Sequence, residues 1–197
     1  MQITYSDHLP EEFKFSASVL ILSAFREKLQ PILGDDVKAH HVIEESINPA
    51  NCITAINEQK LVGLLGLQYD QGHFWRPTLK LMTRAYGVFE GLFRKICLSI
   101  LEHATAPNEW YVFCIAVSED VRGQGIGSHM LTRLEERAIQ SGATKLSLQV
   151  INTNPKAEAL YKRLGFVSCK RTRIWPFNRL LGWSFESAAL MVKEIGK

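Results

Sequence analysis

The stretch that most limits what this chain can fold into is a short apolar run that breaks into a glycine-rich loop. Residues 110–117, WYVFCIAV, read as a buried strand, and VRGQGIGSHM at 121–130 sets Gly123, Gly125 and Gly127 behind Arg122. Beyond the loop, Met130, Leu131, Leu134 and Ala138 recur at helical spacing until Gly142 closes the helix. A strand running through such a loop into a helix start presents unpaired N–H groups and a partial positive charge. Glycines strip away the side chains that would keep an anion off those groups, and Arg122 can add a charge-assisted hydrogen bond. The unit is therefore sized for a diphosphate; the alternative is a turn whose glycines only let strand and helix pack. The missing lysine argues against a nucleoside-triphosphate loop. The third glycine comes one residue early for a dinucleotide loop.

Strands and helices interleave around this unit without a linker, repeat or low-complexity run. QITY reads as a strand, residues 10–33 as a helix between Pro10 and Pro31–Gly34, and 35–48 as a shorter second helix. Residues 51–69 read as two strands around a turn near 57–60. Leu79, Met82, Tyr86, Phe89, Phe93, Ile96 and Ile100 step by threes and fours. That spacing predicts one long helix over about 77–104, its apolar stripe facing the core or a second copy of the chain. ATKLSLQVI (143–151) is a further strand. NPKAEALYKRLGF (154–166) is a helix capped by Asn154, with Pro155 at its first position and Gly165 past its end. FVSCKR and AALMVKEI read as strands joined by a loop rich in Trp, Phe and Arg. The chain is α/β, and its 197 residues suit a single domain, 1–197.

A net charge of +3 is too weak to argue for nucleic acid or a membrane surface. The charge is uneven, however. Residues 1–58 carry nine acids and four bases, whereas Lys156 to Arg179 carry seven bases and one acid, Glu158. The basic tract is either a solvated face or a site for an acidic group. Cys52, Cys97, Cys114 and Cys169 lack metal or redox spacing and sit in apolar stretches, so all four read as buried free thiols in a reducing compartment. No secretory signal is seen, and no apolar run reaches the roughly 18 residues of a spanning helix. A cytoplasmic protein with neither a metal nor a membrane partner is expected.

Two motifs then fall in order. Arg122-Gly123-Gln124-Gly125-Ile126-Gly127, preceded by Ile115-Ala116-Val117, resembles the acyl-CoA loop of the GNAT N-acetyltransferases. Asn154-x-x-Ala157-x-x-Leu160-Tyr161-x-x-x-Gly165-Phe166 resembles the family's following motif, separated from the first by one helix and one strand. The detailed likeness covers about 110–167.

The resemblance implies a mixed β-sheet of about six or seven strands, splayed at its centre and flanked by helices, with the long helix inserted before the central strand. It implies acetyl-CoA as co-substrate in the core at about 110–167, and an acceptor side at about 1–50 and 170–190. Backbone groups of Ile115, Ala116 and Val117 would meet the pantetheine arm, with the Val117 N–H polarising the thioester carbonyl. The N–H groups of Arg122, Gly123, Gln124, Gly125, Ile126, Gly127 and Ser128 would hold the pyrophosphate. Asn154 would bond the arm from the other side or serve only as a helix cap, with Asn152 a weaker candidate. Tyr161 would be the catalytic proton donor to the departing thiolate, and Leu160 its core anchor. The implied activity is transfer of an acetyl group to a primary amine of a small molecule or peptide by direct attack on the thioester. The alternatives are a non-catalytic acyl-CoA sensor or scaffold, and a transferase for another acyl group.

No general base stands out. Glu109 and Glu119 flank the central strand and read as exposed, His129 reads as a surface residue, and His40 and His41 have no metal-like partners. Asp35, Asp36, Glu44 and Glu45 would suit a cationic acceptor, while Arg171 and Arg173 would tolerate an acidic one. The basic tract could instead meet the 3′-phosphate of CoA. Trp175, Phe177 and Trp183 are placed to close over the acceptor.

Overall fold

The computed structural model describes residues 2–34, 37–70 and 72–196. Its eight strands are β1 (Ile3–Ser6), β2 (Cys52–Asn57), β3 (Lys60–Tyr69), β4 (Gly72–His73), β5 (Glu109–Val117), β6 (Lys145–Ile151), β7 (Val167–Arg173) and β8 (Ser187–Glu194). They form one sheet in the order β1-β2-β3-β5-β6-β8-β7, with β4 against β3. Every pairing is antiparallel except β5 with β6, which is parallel. That one pair needs a crossover, and α6 (Ile126–Gln140) supplies it. The expected sheet stands, with the short β4 bringing its strands to eight.

Each face of the sheet has its own apolar core. On one face, α1 (Lys14–Ala24), α2 (Arg26–Leu33), α3 (Val37–Ser46), α4 (Leu79–Tyr86) and α5 (Val88–Ser99) gather Ile21, Ile32, Ile43, Met82 and Leu98 against Leu64 and Cys114. On the other, α6 and α7 (Pro155–Arg163) bury Met130, Leu134 and Tyr161 against Leu65, Val112 and Leu148. A short helix, α8 (Phe177–Leu180), lies in the β7–β8 connection.

Two helices expected to be continuous are broken. Residues 10–33 divide at Phe25 (φ −115°, ψ 26°), and the turn at 23–28 points toward the sheet centre. The helix expected over 77–104 divides at Gly87, whose φ of +87° lies outside the helical range open to other residues. The break rotates the apolar stripe out of phase. Met82 and Tyr86 stay buried on α4, but on α5 Phe89 is 90% exposed, and Phe93 and Ile96 also face solvent. In their place α5 buries Gly91, Cys97 and Leu98. The stripe is thus only half core. Cys52, Cys97 and Cys114 are buried free thiols, but Cys169 is exposed because every residue of edge strand β7 is.

Glu109 corrects another expectation. It is only 7% exposed, at the closed end of the β5–β6 pair. Its carboxylate accepts hydrogen bonds from Ser147 Oγ across the pair, from the Ala106 N–H at 2.7 Å and from His103 Nε2 at 3.2 Å. Burial alone would raise its pKa, but these three donors together hold it below the ordinary carboxylate value. Glu109 is thus a structural pin. Glu109→Gln should lower stability by about 1–3 kcal/mol at neutral pH, because one acceptor becomes a donor facing donors. A depressed carboxylate pKa stabilises above the unfolded value of about 4.3 and loses that effect as pH falls through the folded value. Urea unfolding should therefore separate the two proteins at pH 7 and bring them together well below pH 4.

Candidate active site

The site begins with one extra residue. Gly66 of β3 pairs with Cys114 and Leu67 with Val112, so Phe113 is left over as a β-bulge in β5. Such a bulge bends its strand and increases local twist. The parallel ladder between β5 and β6 ends at the same level, at Val112 opposite Leu148. Past that point the two central strands diverge. A cavity of about 390 Å³ opens between them, walled by 112–115 of β5, 148–151 of β6, the 23–28 turn, and Asn154, Ala157 and Tyr161.

The bulge also decides which backbone groups face the gap. The Ser118 N–H donates to Val62 O, so Ala116, two residues earlier and opposite Leu64, is bonded to β3 in the alternating antiparallel pattern. Ile115 and Val117 therefore turn their N–H and C=O groups to the other edge, toward the opening. Of these two only Ile115 lines the cavity itself; Val117 lies further along β5.

The glycine loop follows at that end of β5, outside the cavity wall. Gly123 and Gly125 have φ of +82° and +79°, and Gly125 is the left-handed N-cap of α6. A Cβ at either would meet nothing within 4 Å, so steric space does not demand glycine there; the backbone conformation does. The first helical bond of α6 runs from the His129 N–H to Gly125 O, leaving the N–H groups of Ile126, Gly127 and Ser128 without intrahelical partners. The Ile126 side chain is core, so only its backbone can serve a ligand. Gln124 is exposed. Arg122 lies along the loop, where Nε donates to Val117 O at 3.1 Å and a terminal nitrogen pairs with Glu119 at 3.0 Å. Glu119 is exposed.

On the opposite wall, Asn154 lines the cavity and caps α7 by accepting from the Ala157 N–H at 3.1 Å, which leaves its amide NH₂ without a role in the cap. Asn152 instead accepts from the Glu186 and Ser187 N–H groups and holds the start of β8. Tyr161 is only 8% exposed and packs edge-on against Phe166, with ring centroids 6.0 Å apart. Burial pushes its phenol up to about 12. Leu160, expected as the core anchor, is half-buried and lies outside both cores; Tyr161 takes that position itself. Cys114, also in the wall, is pushed up to about 12 by burial.

Other expected residues lie elsewhere. Asp35 and Asp36 fall outside the described residues, and Glu44 and Glu45 on α3 do not line the cavity. His129 is exposed and stacks on Tyr5, and His40 Nδ1 bonds Ser18 Oγ at 2.9 Å. Trp183 is buried behind α2, where its indole N–H donates to Lys28 O at 3.1 Å. Trp175 lines a separate groove with Arg171, Arg173 and Arg179. Phe177 is exposed at the start of α8. Two wall elements carry no sequence motif: the Phe113 bulge, and the 23–28 turn with Lys28 on it.

Residues 20–166 match the Acetyltransferase (GNAT) family. The chain belongs to that family. Among curated relatives it is 34% identical over 79 residues to a thialysine N-epsilon-acetyltransferase of Bos taurus, covering 40% of this chain and 46% of that protein. It is 38% identical over 61 residues to the N-alpha-acetyltransferase MAK3 of Arabidopsis thaliana, covering 31% and 32%. A mycothiol acetyltransferase of Corynebacterium aurimucosum is 36% identical over 64 residues, covering 32% of this chain and 21% of that protein. The matched segment thus spans less than half of each of these relatives. Among solved structures, an N-acetyltransferase of Staphylococcus aureus Mu50 superposes with a TM-score of 0.68 at 18% identity, over 96% of this chain and 99% of that one. The ribosomal-protein-S18-alanine N-acetyltransferase of Escherichia coli gives 0.62 at 18%, over 100% and 96%. These likenesses show that the GNAT fold runs the length of the described chain.

Gly125→Ala should cost about 1–2 kcal/mol, the strain of a left-handed alanine, with no packing defect. Chemical unfolding should show a lower midpoint with an unchanged slope.

Proposed function

We propose that this chain is an acetyl-CoA-dependent N-acetyltransferase acting on a primary amine of a small molecule or peptide. The observation that carries the reading is the splay after Val112 and Leu148, with the Tyr161 phenol in its wall. In this reading the pantetheine arm lies along β5 and takes the backbone groups of Ile115 and Val117 as a neighbouring strand would. The pyrophosphate rests on N–H groups of residues 122–128, and the Asn154 amide holds the arm from the α7 side. Arg122 contributes by bracing Val117 O, and its charge lies beside the loop. An acetyltransferase family match and relatives named for N-acetyl transfer support the choice of group and acceptor.

The amine attacks the thioester carbonyl directly. A cysteine relay is disfavoured, because Cys114, the thiol in the wall, is held protonated by burial. The developing oxyanion meets an N–H of the 115–117 segment, a fixed donor aimed at the gap. Tyr161 then donates to the departing sulfur. A phenol near 12 does not readily protonate the solvated thiolate of a thiol of pKa about 8.5, but a thiolate released beside the buried Tyr161 is partly desolvated too. The shared environment narrows the gap and makes Tyr161 a proton donor that stays loaded at neutral pH.

Calorimetry with CoA tests the binding half. Gly125→Asp should abolish measurable binding by placing a carboxylate where the pyrophosphate lies, whereas Gly125→Ala should weaken it modestly. A panel of amines with thiol release as readout tests the transfer half. Tyr161→Phe should lower turnover about 100-fold with CoA affinity unchanged. A wild-type rate in that variant would remove Tyr161 from the mechanism.

A further inference from the structure

The cavity wall contains an amine of the protein's own. Lys28 is on the first turns of α2 and lines the cavity with Cys114 and Tyr161. Its backbone is fixed from both sides: its N–H donates to Phe25 O at 3.0 Å, and its carbonyl accepts from the buried Trp183 indole at 3.1 Å. Its ammonium lies 5.8 Å from the centre of the Phe25 ring. No described carboxylate pairs with it. The adjacent Glu27, which could have done so, is bonded to the Thr153 and Ser184 hydroxyls at 3.1 Å each. Cys114, which shares the cavity wall, is next in sequence to Ile115, whose backbone faces the gap. A half-buried lysine that meets no described carboxylate in a cavity of this kind needs a reason.

We infer that Lys28 is a self-acetylation site, its side chain reaching the thioester in the splay when no acceptor occupies the cavity. The inference rests on the acetyl-CoA reading above. The neutral Nζ adds to the thioester carbonyl carbon and forms the new C–N bond. The C–S bond then breaks with its electron pair going to sulfur, and the proton lost from nitrogen ends on the thiol, directly or through Tyr161. The products are Nε-acetyl-Lys28 and CoA. Desolvation lowers the Lys28 pKa to about 8, so an appreciable part of the side chain is already neutral near physiological pH. The amide is stable. It cannot pass the acetyl group on, and it leaves an uncharged side chain on the acceptor side of the cavity. Self-acetylation is therefore a brake that engages when acetyl-CoA is plentiful and acceptor scarce.

The experiment is incubation of the whole chain with acetyl-CoA and no acceptor, followed by peptide mass mapping over time, alongside calorimetry with CoA. One acetyl group should appear on Lys28 at least about tenfold faster than on the exposed Lys60 and Lys156, as expected for an amine held beside the reacting carbon. Excess CoA should suppress it by competition, and Lys28→Arg should lack it while the slow background at Lys60 and Lys156 persists. CoA binding with Lys28 unmodified, or modified no faster than Lys60, overturns this inference and leaves the transferase reading standing. Absence of CoA binding overturns both.

Discussion

Phe113 gives β5 one residue more than β3 can pair with between Gly66 and Leu67, and the centre of the molecule follows from that mismatch. The bulge bends β5 away from β6 where their parallel ladder stops. It also resets the alternation of β5, so that Cys114 faces the helical layer of α1 to α5 while Ile115 and Val117 pack on the α6 side. The gap opens between two strands that are buried on both faces and would otherwise seal the sheet. At the other end of the same pair, Ser147 and Glu109 hold the strands together across the sheet. A closed end and an open end within one strand pair make a slot of fixed position, and the surrounding elements supply its walls.

Burial in that slot acts on three groups in chemically coherent directions. It raises Tyr161 and Cys114 to about 12 and lowers Lys28 to about 8, in each case favouring the neutral form. Near neutral pH the phenol and the thiol therefore keep their protons, while a part of the Lys28 amine has lost its own. Within the slot the charged side chains, Arg26, Glu27 and Lys28, all come from the 23–28 turn, while the Arg122–Glu119 pair lies beside the loop and the arginines of the β7–β8 groove lie apart.

The parts of this arrangement legible in the sequence were those with local signatures. The glycine spacing at 123, 125 and 127 follows from backbone conformation at a helix start, and Asn154-Pro155 from capping, so loop and α7 stood where their motifs put them. What was illegible depended on tertiary packing. WYVFCIAV is uniformly apolar, and one surplus residue in it leaves no trace in composition or period. The stripe from Leu79 to Ile100 has a faultless helical spacing, yet the turn at Gly87 sends Phe89, Phe93 and Ile96 to the surface. Glu109 looked like a polar strand end, because Ser147 and His103, its partners, lie on other segments. Lys28 belongs to no motif. It enters the site only because the chain kinks at Phe25 and Trp183, far along the sequence, locks that kink in place.

The account stands on the splay of β5 and β6 being the slot for acyl-CoA. Amide hydrogen exchange with and without CoA, read residue by residue, tests it most directly. The account predicts new protection at the Ile115 and Val117 amides and at residues 123–128, with Ala116, already bonded to β3, unchanged. Protection confined to the Arg171–Arg173–Arg179 groove, or none along β5, would contradict it.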